Sequence, residues 1–366
     1  MPVDVAIAAG KALVAILLAI QVVALGVFFE RKVSAVIQDR IGANRASVFG
    51  FAGLGLINTL VADPIKFLLK EDVRPDGADR FLHTLAPIAG LVPVIVAFVV
   101  IPFGDVIEIG GRVIELQASQ LNVGVLFILA MSSLSVYGVV LGGWASNSRW
   151  SLLGGIRGSA QMISYEIAMG LALVGVVLTY GTLDLQHIVR AQGALLGGWL
   201  PAWGIFLQPL GFLIFLTAGI AESKRIPFDL PESESELVSG YFTEYSGAKH
   251  LMFMMTDFVE IVLVAALVTT FFFGGWQVPG LARDGFHAFG QTWLPPASWL
   301  TIPLVQVTAY VGKVIFFTWL QVMIRWTLPR FRYDQLMRLG WQGLLPLALL
   351  NVFLTAGVIL LFGGDA

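Results

Sequence analysis

Eight long apolar runs, at 12–29, 85–103, 121–141, 163–180, 204–221, 259–275, 302–324 and 344–362, alternate with polar segments along the chain. Crossing a hydrocarbon core of about 30 Å as a helix takes about 20 apolar residues, and a backbone in lipid must satisfy its own hydrogen bonds. The pattern therefore predicts an all-α integral membrane protein, with about eight transmembrane helices in a single membrane domain over 1–366. Its long loops lie at 31–84 and 224–250. A further apolar stretch at 49–69 is broken by Gly50, Gly53, Gly55, Asp63, Pro64 and Lys66. It is expected to lie along the interface as an amphipathic helix of the first loop. Phe28, Phe29 and Glu30 stand at the end of the first run, where a cleaved leader needs small residues, so that run is expected to be a retained span.

Composition sharpens this picture. Of the 366 residues, 57% are hydrophobic and only 13% charged, and the mean hydropathy is +0.83, which selects the membrane class. The basic residues set the orientation. Of 22 Lys and Arg, 17 fall in the first, third, fifth and seventh loops, while the even loops hold only Arg112, Arg190 and Arg283. Basic loops stay cytoplasmic, so the odd loops are expected in the cytoplasm and both termini in the periplasm. An even number of spans demands the same. Cysteine is absent, which excludes disulfides and cysteine-held metal or iron–sulfur centres within the chain. His83, His187, His250 and His287 show no metal-ligand spacing, and no glycine-rich phosphate loop occurs. Electrons for any redox chemistry must therefore come from another chain. No internal repeat of the kind that builds many secondary transporters is visible.

Charge within a span costs roughly 2.5–3.5 kcal/mol at its centre on insertion scales, so each case needs a partner or a purpose. Glu166 shares a helix face with Gln161 and Tyr165 at the start of the fourth run. Glu222 ends the fifth, Asp257 and Glu260 lie three apart beside the sixth, and Lys313 lies within the seventh. Such groups either tie helices together by hydrogen bonds or line a hydrated proton or ion path. Five of them on four consecutive helices favour the path. The fifth loop adds Asp229, Glu232, Glu234, Glu236 and Glu244. Asp229 and Glu232 fit a capping box with Pro231 in the first turn, which leaves the other three without a local structural purpose. Crowded carboxylates raise one another's pKa, and the adjacent Lys224 and Arg225 would oppose that.

The residues also carry a resemblance. Glu30, Arg31 and Lys32, followed by 38–45 (Gln-Asp-Arg-Ile-Gly-Ala-Asn-Arg) and 62–71 (Ala-Asp-Pro-Ile-Lys-Phe-Leu-Leu-Lys-Glu), begin the series. It continues through 143–149, 153–157 and 161–166. The most specific segment is 221–246, with Ile-Pro-Phe-Asp-Leu-Pro-Glu at its heart, and 328–337 closes the series. This order, on loops expected to be cytoplasmic, resembles the quinone-site membrane subunit of respiratory complex I, the NADH:quinone oxidoreductase of bacteria and mitochondria.

The resemblance implies a proton-pumping translocase of the bacterial inner membrane, working inside a larger complex. Quinone would be a substrate bound at the interface with peripheral-arm subunits that carry the terminal iron–sulfur cluster, and this chain would hold no metal, flavin or cluster. Small and antiporter-like membrane subunits would be further partners. Glu30, Arg31, Lys32, Arg40, Asp63, Lys66, Arg225, Phe228 and Asp229 would form the membrane end of the quinone chamber. Glu166, Glu222, Glu232, Glu234, Glu236, Glu244 and Asp257 would lead protons away from it. The family usually has proline at Ala43 and glutamate at Asp257, so Glu260 one turn on is a second candidate for that acid. A homologous subunit of a hydrogenase, a stand-alone transporter with Glu166 and Lys313 as ion sites, and a passive redox anchor are the alternative readings.

Overall fold

A computed structural model describes residues 2–42, 61–109, 112–196, 200–282, 285–288, 291–294 and 300–362. The helices are α1 (Pro2–Ile37), α2 (Asp63–Leu69), α3 (Arg80–Ala97), α4 (Gly124–Ala145), α5 (Arg149–Tyr180), α6 (Leu185–Ala191), α7 (Pro209–Glu222), α8 (Gly247–Phe272), α9 (Thr301–Thr327), α10 (Tyr333–Arg338) and α11 (Leu345–Phe362). Each of the eight apolar runs falls on one of these. Among the described residues, six helical stretches are long and apolar enough to cross a membrane: Arg80–Val100, Gly124–Ala145, Arg149–Tyr180, Gly247–Phe272, Thr301–Thr327 and Tyr333–Leu361. To these are added the 36-residue α1 and the shorter apolar α7. The protein is an all-α membrane protein.

The helices outrun the apolar runs where polar residues continue them. α1 carries on through Glu30, Arg31 and Lys32, and α5 begins at Arg149, well before the fourth run. Of the stretch expected to lie at the interface, residues 49–60 fall outside the described residues, and Asp63–Leu69 forms the short helix α2. The even loops carry small antiparallel pairings: β1 (Val106–Ile109) with β2 (Arg112–Glu115), β3 (Leu195–Leu196) with β4 (Leu200–Pro201), and β5 (Leu281–Ala282), β6 (Gly285–Ala288) and β7 (Gln291–Leu294) in one sheet. The β-branched residues of Val-Ile-Glu-Ile and Arg-Val-Ile-Glu suit the first pair.

Helix α8 is the axis of the bundle. It packs against α1, α3, α7 and α9, and every residue from Val259 to Phe272 is buried. Chain neighbours α3, α4 and α5 pack in series, and α5 also meets α7 and α11. Glycines let these backbones approach. A Cβ on Gly154 would stand 2.7 Å from the Tyr241 backbone nitrogen, so α5 lies flat against the fifth loop. Where α10 runs into α11, residues Leu339–Leu344 form a π-helical stretch, and Gly340 there meets the Tyr165 ring.

All four odd loops gather at one end. Asp79 N–H donates to the Ala145 carbonyl, Arg157 pairs with Glu236, Arg330 with Asp229, and Arg325 with Glu30. The even loops gather at the other end. There Arg190 pairs with Asp105 at 2.8 Å, and Lys11, near the start of α1, donates to the Glu115 and Gln117 carbonyls.

Candidate functional site

The odd-loop end holds a cleft of about 470 Å³ between α1, α8 and α9. Glu30, Arg31 and Arg40 face it from α1 and the turn beyond, Arg225 from the fifth loop, Phe258 from α8 and Arg325 from α9. Four guanidiniums against one carboxylate make it electropositive. Glu30 is ion-paired with Arg325, Arg31 pairs with Asp63 of α2 at 2.9 Å, and Arg40 donates to Gln38 Oε1 at 2.7 Å. Arg225 lies with its guanidinium 4.4 Å from the Phe258 ring centroid, a cation–π contact. A neighbouring apolar groove of about 290 Å³ runs between α1 and α9, lined by Leu25, Phe29, Val33, Gly312, Phe316 and Trp319.

The fifth loop is tied down from several directions. Gln161 Nε2 on α5 donates to the carbonyls of both Ala221 and Phe228, 2.7 Å each, and so spans the loop. Phe228 stacks on Phe331 of the seventh loop, with ring centroids 5.4 Å apart. Asp229 accepts from Arg330 at 2.7 Å. The capping box expected at Asp229 and Glu232 does not form: the first helical turn after them is Glu234–Leu237, with Ser233 ahead of it. The Asp229 carboxylate is instead engaged in a charge-assisted bond with the Arg330 guanidinium. Burial raises the Asp229 pKa to about 6, even though Arg330, Arg325 and Arg225 pull it down. Burial raises Glu232 further, reinforced by Asp257 and opposed by Arg225.

From the cleft a row of ionisable groups runs into the bundle. Arg225 faces the charges of Asp257, Glu232, Glu30 and Asp229. Glu232 lies close enough to Asp257 for the two carboxyl groups to feel each other's charge. Lys224 Nζ stands 3.1 Å from Asp257 Oδ1 and 2.9 Å from Glu260 Oε2. Beyond Glu260 lies a cavity of about 20 Å³, bounded by Glu222, Glu260, Ser132, Ser135 and apolar side chains. That is room for about one water, with polar walls to hold it. Glu222 in turn interacts with Ser132 and with the charge of Glu166, which is hydrogen-bonded to Ser133.

Other expected residues stand apart from this row. Lys66 is exposed on α2, and Lys32 lies 5.9 Å from the Phe28 ring centroid, off the cleft lining. Glu236 is half exposed and paired with Arg157 at 2.7 Å. Glu244 neighbours His83 on the α3 side. The Glu234 side chain, and Asn44 and Arg45 of the resemblance, lie outside the described residues. Lys313 belongs to the other end: its Nζ donates to the carbonyls of Phe273, Gly275 and Gln277 at 2.8, 2.9 and 2.7 Å. Its three protons are spent on the chain leaving α8. Sequence reasoning missed Ser132, Ser133 and Ser135. Their only signal is a cluster of hydroxyls in an otherwise apolar run, which usually means local bonds to backbone. Among the described residues no group of acidic or histidine side chains could hold a metal ion.

Comparison with known proteins gives a family. Residues 10–356 match the NADH dehydrogenase family. The chain is 46% identical over 358 residues to an NADH-quinone oxidoreductase H subunit of Geobacter metallireducens, with 98% of each chain covered. The corresponding H subunit of Geobacter sulfurreducens is 48% identical over 357 residues, again with 98% of both covered. That of Cytophaga hutchinsonii is 44% identical over 335 residues, 92% of this chain and 91% of its own.

Proposed function

Because this chain belongs to the NADH dehydrogenase family, we propose that it is the quinone-site membrane subunit of a proton-pumping NADH:quinone oxidoreductase of the bacterial inner membrane. Its odd loops face the cytoplasm, both termini face the periplasm, and the electropositive cleft is the membrane end of a quinone chamber. The chamber is completed by peripheral subunits that carry the terminal iron–sulfur cluster.

The observation that carries this reading is the row of mutually interacting charged side chains from the cleft through Arg225, Glu232, Asp257, Lys224 and Glu260, and across a small cavity, to Glu222 and Glu166. A quinone accepting two electrons takes up two protons to become the quinol. While the charge it gains is unneutralised, it attracts the arginines of the cleft and weakens their hold on Glu30, Glu232 and Asp257. At an effective dielectric near 20, unit charges a few ångströms apart interact by about 4 kcal/mol, enough to move a proton equilibrium by more than one unit. The proton rearrangement then passes along the row toward antiporter-like partner subunits. The apolar groove beside the cleft suits a prenyl tail arriving from the bilayer.

The test is made on the assembled complex in sealed vesicles. Glu222→Gln and Glu166→Gln keep shape and hydrogen bonding but cannot carry a proton away. They are expected to oxidise NADH normally with an artificial acceptor, and to lose proton translocation coupled to quinone reduction. Wild-type ratios of protons moved per NADH in both variants would remove the assignment of the row.

A further inference from the structure

Lys224 is an unusual residue to find at the centre of a carboxylate row. It follows α7 within two residues, and its backbone turns through the left-handed region at φ 55, where an L side chain stays only if its surroundings hold it. The side chain is 1% exposed. An ammonium has three N–H donors and no acceptor, and a buried one requires opposite charge close by.

The two carboxylates beside it are not held alike. Glu260 accepts hydrogen bonds on both oxygens, at 2.9 and 3.2 Å, and Oε1 also takes Ser135 Oγ at 3.4 Å. Asp257 stands 3.1 Å away as an ion pair, yet neither of its oxygens has a hydrogen-bond partner among the described residues. Asp257 also faces the cleft side: Glu232 with Oε1 unbonded, Arg225 with Nε and Nη2 unbonded, and the buried Tyr241 phenol. Glu260 faces the membrane side, through the small cavity to Ser132 and Glu222. Lys224 is thus the joint between two halves of the row.

We propose that Lys224 is a positioning residue of the coupling path, a single cation shared unequally by Asp257 and Glu260 that hands a change of charge at the cleft on to Glu260 and Glu222. This inference rests on the function proposed above. With a proton on Asp257, the ammonium has one ionised partner and keeps Glu260 ionised. When Asp257 releases that proton toward Glu232, two carboxylates compete for one cation, and Glu260 becomes the better site for a proton from the cavity side. Each step moves one proton between carboxylates and leaves Lys224 charged. Burial works against that charge, but Glu260 and Asp257 outweigh it and raise the Lys224 pKa above its ordinary value.

The test compares Lys224→Gln, Lys224→Arg, Glu260→Gln and Glu222→Gln in the assembled complex. The readouts are NADH oxidation by an artificial acceptor, protons moved per NADH with quinone, and the pH profile of quinone reduction. Lys224→Gln is expected to lose most of its translocation and to shift the profile alkaline by about one unit, because buried carboxylates without their cation hold protons longer. Lys224→Arg is expected to restore both. Glu260→Gln releases the cation to Asp257 and is expected to shift the profile in the acid direction. A wild-type ratio and profile in Lys224→Gln, or an Arg variant as impaired as the Gln variant, overturns the proposal. If Lys224→Gln does not assemble, an unshifted profile in Glu260→Gln does so. Loss of translocation in Glu222→Gln beside normal Lys224 variants removes only the role of Lys224. Normal translocation in Glu222→Gln removes the function it rests on.

Discussion

Gly138 on α4 packs directly onto Gly90 on α3. A Cβ on Gly138 would stand 2.5 Å from both Cα and N of Gly90. Those are backbone atoms and cannot step aside, so the two helices would have to part. Gly138→Val is expected to destabilise the protein by about 1–3 kcal/mol through overpacking. Gly170→Ala meets nothing within 4 Å and is the control. Thermal unfolding of the purified complex, or its yield, separates the two; equal behaviour would disprove the close approach.

Lys313 should prove structural. Replacing it by Met strips three backbone carbonyls at the end of α8 of their donor, and leaves Trp203 without the ammonium 4.7 Å from its ring centroid. An unsatisfied buried acceptor costs about 1–3 kcal/mol, so the loss should exceed that of a single bond. The expected result is reduced assembly, with protons moved per NADH unchanged in the complex that survives. A selective loss of translocation in fully assembled complex would contradict this.

Arg225 is buried among Asp257, Glu232, Glu30 and Asp229. Removing one partner of a buried charge group costs about 3–5 kcal/mol, because the remaining charges lose their compensation. Arg225→Leu should therefore lower both stability and quinone reduction. Arg225→Lys keeps the charge but loses the guanidinium's contact with the Phe258 ring, and should recover stability more fully than activity. Paired measurements of unfolding and quinone-reductase rate decide the matter.

Asp229 predicts a pH dependence. Its pKa in the fold, about 6, lies above the ordinary 3.8, so the folded chain binds this proton more tightly than the unfolded chain does. Stability from this group is full below about pH 4 and is lost as pH rises through about 6. Asparagine is uncharged throughout. The stability of Asp229→Asn relative to wild type should thus improve from pH 5 to pH 7 and then level off. Parallel unfolding curves across that range would refute the raised value.

The apolar groove offers a functional discriminator. Gly312 lines it, and nothing stands within 4 Å of a Cβ placed there. Gly312→Leu should fill the groove without disturbing the bundle. If a prenyl tail lies there, KM for long-chain quinones rises several-fold, on the order of one kcal/mol of lost apolar contact, while short-chain analogues react as before. Equal effects on both would exclude the groove as the tail's path.

Much of this protein is legible in one dimension. Lipid demands a continuous apolar stretch for each crossing, so each of the eight runs marks a helix, although α1, α5 and α8 begin ten or more residues before their runs, and the asymmetry of Lys and Arg separates two sets of loops. The motif at 221–246 marks the fifth loop, which carries Arg225 of the cleft and Lys224 of the buried ionisable row. The partners of its charges are another matter. Asp229 looked like a helix cap because local spacing allowed it, and Arg330, 101 residues away, took it instead. Lys224 reaches Glu260 across 36 residues, and Lys313, a charge in a span like the carboxylates, turned out to bind backbone at the opposite end. Hydrophobicity acts on each residue separately and survives in the linear order. Electrostatic pairing depends on distance within a low-dielectric interior, and only the packing of α1, α7, α8 and α9 sets those distances.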